Sequence, residues 1–143
     1  MTLQQIERLN ERRGKFMEKK IISSNRIPAV IGPYSPAVKA ENMLFISGQL
    51  PIDPKTGDIV KGDIQLQTKQ ALENLTALLE LYSITLKNVV KTTVFLKNID
   101  DFCKFNQIYA EYFKEKYPAR SCIGIAGLPK NALIEIEAIA IIQ

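Results

Sequence analysis

Arg120 is the residue whose type and place most invite chemistry. It stands in Tyr117-Pro118-Ala119-Arg120-Ser121-Cys122, at the start of an apolar run, and every other cation after residue 26 is a lysine. Arginine offers a rigid planar fork that takes a carboxylate or phosphate bidentately, which lysine cannot do. Just downstream, Ile134-Glu135-Ile136-Glu137-Ala138 places two carboxylates two residues apart in a strand-like segment. Together these segments point to a small anion-binding site.

The chain has no histidine. That removes Ser-His-Asp and Cys-His catalysis and the usual zinc ligand sets. Acid–base work then falls to carboxylates, tyrosine, lysine or a bound water. On a strand from Ala119, the period of two puts Arg120, Cys122 and Gly124 on one face and Ser121, Ile123 and Ile125 on the other. Glu135 and Glu137 share a face with Leu133 and Ile139. If the two strands are neighbours, Arg120 faces Glu135 or Glu137 across the sheet. Such a pair reads either as a plain salt bridge or as a ligand site. Cys122 reads most simply as a small buried hydrophobe, with its backbone N–H the better ligand donor. Tyr34, bracketed by Pro33 and Pro36 in a rigid loop, is a packed aromatic or a pocket wall. Ser47-Gly48, at a strand end, is a turn or a place where the backbone approaches a ligand closely.

These residues need a scaffold. The sequence predicts a short edge strand over Lys19–Ser24, a loop over Ile31–Pro36, a strand over Asn42–Gly48 and a turn region over Pro51–Gly62 built on Asp53-Pro54-Lys55-Thr56-Gly57. A helix follows over Asp63–Ser83, with Asp63 as N-cap. Its stripe is Ile64, Ala71, Leu72, Leu75, Leu78, Leu79 and Tyr82. Val89–Leu96 is a strand. A second helix spans Asp100–Lys116, capped by Asp100, with its late lysines suited to the macrodipole and Phe102, Phe105, Tyr109, Tyr112 and Phe113 inward. Ala119–Ala126 and Leu133–Ile142 are the last strands. The order β-β-α-β-α-β-β predicts an α+β fold: one mixed sheet with two helices on one face. The last strand is apolar on both faces, so the face without helices also needs cover. Other copies of the chain, in a closed cyclic homo-oligomer, would provide it.

At 143 residues this is a single-domain length with room for a core. Residues 17–143 read as the domain and residues 1–16 as an N-terminal extension, with an organellar targeting segment the lesser reading because Glu7 and Glu11 are unusual in one. No apolar run is long enough to span a membrane. Two cysteines in a chain of this kind are expected to stay reduced, in a cytoplasmic setting. The net charge is +4. Residues 1–20 carry six basic and three acidic residues, net +3, and the remainder carries thirteen and twelve, net +1. The nearly neutral body argues against nucleic acid as the main ligand.

Several ordered segments resemble the RidA (YjgF) family of reactive enamine/imine deaminases, whose members also carry the names endoribonuclease and translation inhibitor. They are Ile31-Gly32-Pro33-Tyr34-Ser35, Ile46-Ser47-Gly48-Gln49, Val90–Leu96, Asp101-Phe102 with Asn106 and Tyr109, Pro118–Cys122, and Leu128-Pro129 followed by Ile134–Ala138. The resemblance covers residues 17–143. It implies a chorismate-mutase-like homotrimer with sites in clefts between subunits and no metal or organic cofactor. It assigns Arg120 to the substrate carboxylate and Glu135 to water, with Tyr34, Ser47, Gly48 and Cys122 lining the pocket. The implied reaction is hydrolysis of 2-aminoacrylate and 2-iminobutanoate to 2-oxo acids and ammonia. Two alternatives stay open: a ribonuclease that inhibits translation, and a non-catalytic trimer that binds small carboxylates in a regulatory or chaperone-like role.

Overall fold

A computed structural model of the chain describes residues 1–5, 22 and 24–143. Most of the expected N-terminal extension and of the edge strand over Lys19–Ser24 lies outside the described residues. Strands β1 (Ala37–Ala40) and β2 (Met43–Gln49) form a hairpin. Helix α1 (Ile64–Leu81), β3 (Val89–Leu96), α2 (Phe102–Tyr112), β4 (Ala119–Gly124) and β5 (Ile134–Ile141) follow. The sheet runs β1-β2-β5-β3-β4, with β3 and β4 parallel and the other neighbours antiparallel. This is the expected α+β fold, a mixed sheet with both helices on one face.

The element order matches the expectation, but the first described strand is β1. Ala37-Val38-Lys39-Ala40 carries weak strand propensity. It forms because Glu41 adopts φ 54° in a two-residue turn and folds the chain back, pairing Ala40 with Met43. The turn after β2 also forms: Asp53 N–H donates to Asp58 O at 2.9 Å and Gly57 N–H to Asp53 O at 2.8 Å.

Asp63 caps α1, its carboxylate accepting from Gln65 and Leu66 N–H at 3.1 Å. Such a cap contributes about 1 kcal/mol. The stripe Ile64, Ala71, Leu72, Leu75, Leu78 and Leu79 is buried, while Tyr82 packs at its margin. The helix stops at Leu81 because Ser83 turns to φ 58° and Ile84 N–H returns to Leu79 O.

Helix α2 departs further from expectation. Asp100 is not its cap. Asn98 accepts from Asp100 N–H and opens a 3-10 turn over Ile99–Asp101, from which the α-helix continues at Phe102. The helix ends at Tyr112, so Lys114 and Lys116 lie beyond its last turn and do not serve its dipole. Phe105, Tyr109 and Phe113 are buried, Tyr112 is half-buried and Phe102 is exposed.

Leu44, Ile46, Val94, Leu96, Ile134, Ile136, Ala138 and Ala140 fill the sheet face beneath the helices. Burial of each large side chain contributes roughly 1.5–3 kcal/mol. No element among the described residues covers the opposite face. Phe45 (43 % exposed), Ile123 (45 %), Val38, Phe95, Ile139 and Ile141 lie on it, where the alternation of β2 and β5 puts them. No helix among the described residues is long and apolar enough to cross a membrane.

Candidate functional site

Glu135 stands on β5, on the uncovered sheet face. Its neighbour β2 carries a β-bulge: Ile46 pairs with Ala138 but Gln49 pairs with Ile136, so three steps on β2 match two on β5. The extra residue falls at Ser47-Gly48. Bulges re-aim the local chain, and here the glycine lies directly against the glutamate. A Cβ on Gly48 would come within 1.7 Å of Glu135 Oε1. Glycine is therefore what allows the carboxylate its present position.

Ser47 both borders the cleft and fixes one of its walls. Its hydroxyl donates to Ser35 O at 2.7 Å, and its N–H donates to Pro36 O at 3.0 Å. Both bonds strap the Pro-rich loop to β2. That loop presents Tyr34, 53 % exposed, over the cleft, with Gly32 at φ 125° and Tyr34 N–H donating to Gly32 O. Tyr34, Ser47, Gly48, Glu135 and Glu137 line a cleft of about 530 Å³, with Ala29, Ile31, Leu50, Ile52, Pro129 and Lys130 completing its walls. Burial holds the Glu135 carboxyl above its ordinary range, and the negative Glu137 pushes it further up. A half-buried carboxyl that keeps its proton more readily can give one as well as take one.

Two buried amides on α1 fix the walls of this cleft, and the helical stripe does not show them. Asn74 donates to Leu50 O at 2.9 Å and Ile52 O at 2.8 Å. Gln67 donates to Val60 O at 3.3 Å and accepts from Leu133 N–H at 2.8 Å, two residues before Glu135. A buried polar residue needs partners, and these partners are loop backbone, which a periodicity argument cannot locate. Lys130, also absent from the expectations, sits at φ 53° and donates to Gly57 O at 2.6 Å, joining the two turns that flank the cleft.

Arg120 lies elsewhere. Strand β3 stands between β4 and β5, so the two candidate strands are not neighbours. Arg120 is in register with Thr92 and, one strand further, Ala138, both buried under the helices. Glu135 is in register with Phe95 and Ile123 on the other face. Two strand spacings and three residues along the strand separate their Cα atoms by about 14 Å, with the sheet between the side chains. The expected facing of Arg120 and Glu135 or Glu137 within the chain is thus corrected: a parallel crossover through α2 carries β4 to the far edge.

At that edge the Arg120 guanidinium rests over aromatic faces, with Cζ 4.7 Å from the Tyr109 ring centroid, 5.2 Å from Phe105 and 5.6 Å from Phe102. Among the described residues the ion pairs are Arg26–Glu80 and Lys69–Glu73, so no carboxylate of these residues neutralises Arg120. It opens on a second cleft of about 440 Å³ with Asn106, Tyr109, Ala110, Tyr117 and Pro118. Cys122 follows on the same face, opposite Val94. Burial pushes its thiol up, against weaker downward pulls from Arg120 and the Ile123 N–H. That agrees with a packed thiol rather than a nucleophile. Cys103 and Cys122 are both free.

A single chain therefore carries a carboxyl in an open cleft on one sheet face, and at the β4 edge, on the other face, a guanidinium with no carboxylate partner among the described residues. The family model for endoribonuclease L-PSP matches residues 24–142. A RutC family protein of Pyrococcus horikoshii is 57 % identical over 122 residues, covering 85 % of this chain and 97 % of its own length. The human protein named 2-iminobutanoate/2-iminopropanoate deaminase is 46 % identical over 123 residues, covering 86 % and 90 %. The crystal structure of Escherichia coli TdcF with bound serine superposes with TM-score 0.82 at 41 % identity, covering 87 % of this chain and 100 % of that one.

Proposed function

Because the chain belongs to the endoribonuclease L-PSP family, the RidA/YjgF proteins, we propose that it is a hydrolytic deaminase of small reactive 2-imino acids such as 2-iminobutanoate and the imine of 2-aminoacrylate. The observation that carries this reading is the pair of half-sites. Arg120 offers a free bidentate fork, and Glu135 offers a carboxyl with a raised pKa, but on opposite faces of one sheet. A second copy packed on the apolar sheet face would bring the Arg120 of one subunit to the Glu135 of another. A closed homotrimer meets that need with three identical clefts. The human relative's name gives the reaction class for that protein.

The chemistry asks little of the protein. An imine carbon is already electrophilic. Arg120 would hold the carboxylate and fix that carbon beside one water. Glu135 takes a proton from the water as its oxygen bonds to C2, while the C=N π pair moves to nitrogen. Glu135 then returns the proton to nitrogen. Glu135 next takes the hydroxyl proton of the carbinolamine and passes it to the amine, so the C–N bond breaks as C=O forms, and the products are a 2-oxo acid and ammonia. Tyr34, Ser47, Gly48 and Cys122 line the cleft in this reading, with Ser47 acting through the loop it straps. Imine hydrolysis of this kind needs no redox step and no cofactor.

A non-catalytic binder of small carboxylates is the second reading, favoured by the TdcF structure with bound serine. The experiment that separates them couples threonine dehydratase to this protein and follows 2-oxobutanoate release. The deaminase accelerates release, and Arg120→Ala abolishes the acceleration. Equal rates with wild type and variant, or no acceleration by either, would sink the proposal. Saturable oxo-acid binding without turnover would establish the second reading instead.

A further inference from the structure

We infer that Tyr109 is a positioning residue for Arg120, and that the aromatic face of α2 sets the direction in which the guanidinium meets a carboxylate. The inference rests on the deaminase reading for its activity readout, and on geometry for the rest. Phe102, Phe105 and Tyr109 follow one another on α2 at the three- and four-residue spacing that shares a face. Phe105 and Tyr109 have centroids 5.3 Å apart, and Tyr109 stacks on Phe113 at 4.5 Å. The Arg120 guanidinium lies closest to Tyr109, at 4.7 Å.

The Tyr109 ring is itself fixed from behind. Its hydroxyl and the Thr92 hydroxyl are 2.8 Å apart, and both residues are buried. Thr92 is the residue on β3 in direct register with Arg120. Strand, helix and strand are thereby closed into one unit: Thr92 holds the tyrosine and the tyrosine faces the arginine. Burial raises the Tyr109 phenol above its usual range, so the group stays a neutral hydrogen-bonding hydroxyl. That hydroxyl is engaged with Thr92.

The choice of aromatic faces over a carboxylate has a chemical consequence. A guanidinium held by a salt bridge gives its N–H donors to its partner. One held by a ring face keeps its in-plane donors, because the attraction acts through the plane of the fork. In this reading the aromatic platform holds the guanidinium in place without taking up its N–H donors, which stay available to a carboxylate. Lysine at position 120 would sit on the same faces as a point charge and lose the planar alignment.

The test measures two things on each variant: kcat and KM for dehydratase-generated 2-iminobutanoate, and the Kd of 2-oxobutanoate by calorimetry. Tyr109→Phe keeps the ring and removes the tether; it is expected to raise KM and Kd together by about 5-fold, with kcat within about 2-fold. Tyr109→Leu removes the face and is expected to raise both by about 30-fold. Because Tyr109→Phe leaves the buried Thr92 hydroxyl unpaired, the pair Thr92→Val/Tyr109→Phe is the control. It removes both polar partners and should restore Tm while KM and Kd stay raised. Recovery of KM along with Tm would reduce Tyr109 to a packing residue and overturn the inference. Wild-type KM and Kd in Tyr109→Phe and Tyr109→Leu would overturn it too, with the deaminase reading intact. A wild-type protein that binds 2-oxobutanoate and loses affinity in these variants, yet releases no extra oxo acid, sinks the deaminase reading alone. Wild type that neither turns over nor binds sinks both.

Discussion

Replacing Gly48 with alanine should disable the site while sparing the fold. A Cβ there would lie 1.7 Å from Glu135 Oε1, 2.6 Å from Cδ and 2.8 Å from Cγ. Ordinary carbon contacts begin near 3.5 Å, so the carboxylate must retreat by roughly 2 Å and Cγ by somewhat less than 1 Å. Moving Cγ means a change of rotamer rather than a twist of the terminal group. A displacement of about 1 Å in a catalytic group costs on the order of 100-fold, so kcat/KM in the dehydratase-coupled assay should fall by at least about 100-fold. Stability should hardly change. Gly48 is not at a positive φ, and the obstruction is a flexible side chain rather than backbone. The expected shift is within about 1 kcal/mol, and the restricted unfolded chain offsets part of it. The decisive comparison adds Glu135→Ala. If Gly48 acts only by making room for Glu135, Gly48→Ala costs nothing further in that background. Wild-type activity in Gly48→Ala would refute the reasoning, as would an equal loss with and without the glutamate.

The raised Glu135 pKa gives a stability prediction of definite sign. The folded chain holds this proton more tightly than the unfolded one, so stability falls as pH rises from the ordinary value of 4.5 through the raised one, and the penalty persists above it. Glu135→Gln should therefore melt higher than wild type near pH 8, with the gap closing on acidification toward pH 4.5; a pH-independent gap would contradict this. Phe45→Asp probes the uncovered face. Sedimentation should show the wild type at three times the chain mass and the variant at one, with the acceleration of oxo-acid release lost in the variant, and a monomeric variant with full activity would refute the shared cleft.

What the sequence made legible was local. The 3.6-residue stripe from Ile64 to Leu79 and the two-residue alternation of β5 each mark their own buried face, so α1, β5 and the bare sheet face could be read directly. The order of strands could not. Placing β3 between β4 and β5 is a long-range pairing, and nothing near Arg120 announces that Thr92 will be its neighbour. The face of Arg120 was readable relative to Cys122 but not relative to Glu135. Strand β1 escaped notice because alanine and lysine have little strand propensity and its pairing depends on the Glu41 turn. Asn98 displaced Asp100 as the capping residue because the helix begins with a 3-10 turn, which shifts the free N–H groups toward the N-terminus. Gln67 and Asn74 fall outside the apolar stripe of α1, and it is the returning loops that bury them.

The way Asn74 holds its loop bears on how such a cleft can diversify. It grips Leu50 and Ile52 by their carbonyl oxygens, atoms that every amino acid possesses. The residues at both positions line the cleft, and these two bonds do not depend on their side chains. Substitution there changes what the cleft accepts without loosening the wall. A chain with this arrangement can drift in ligand preference through single steps, each of which keeps the anchoring amide and the backbone path it enforces.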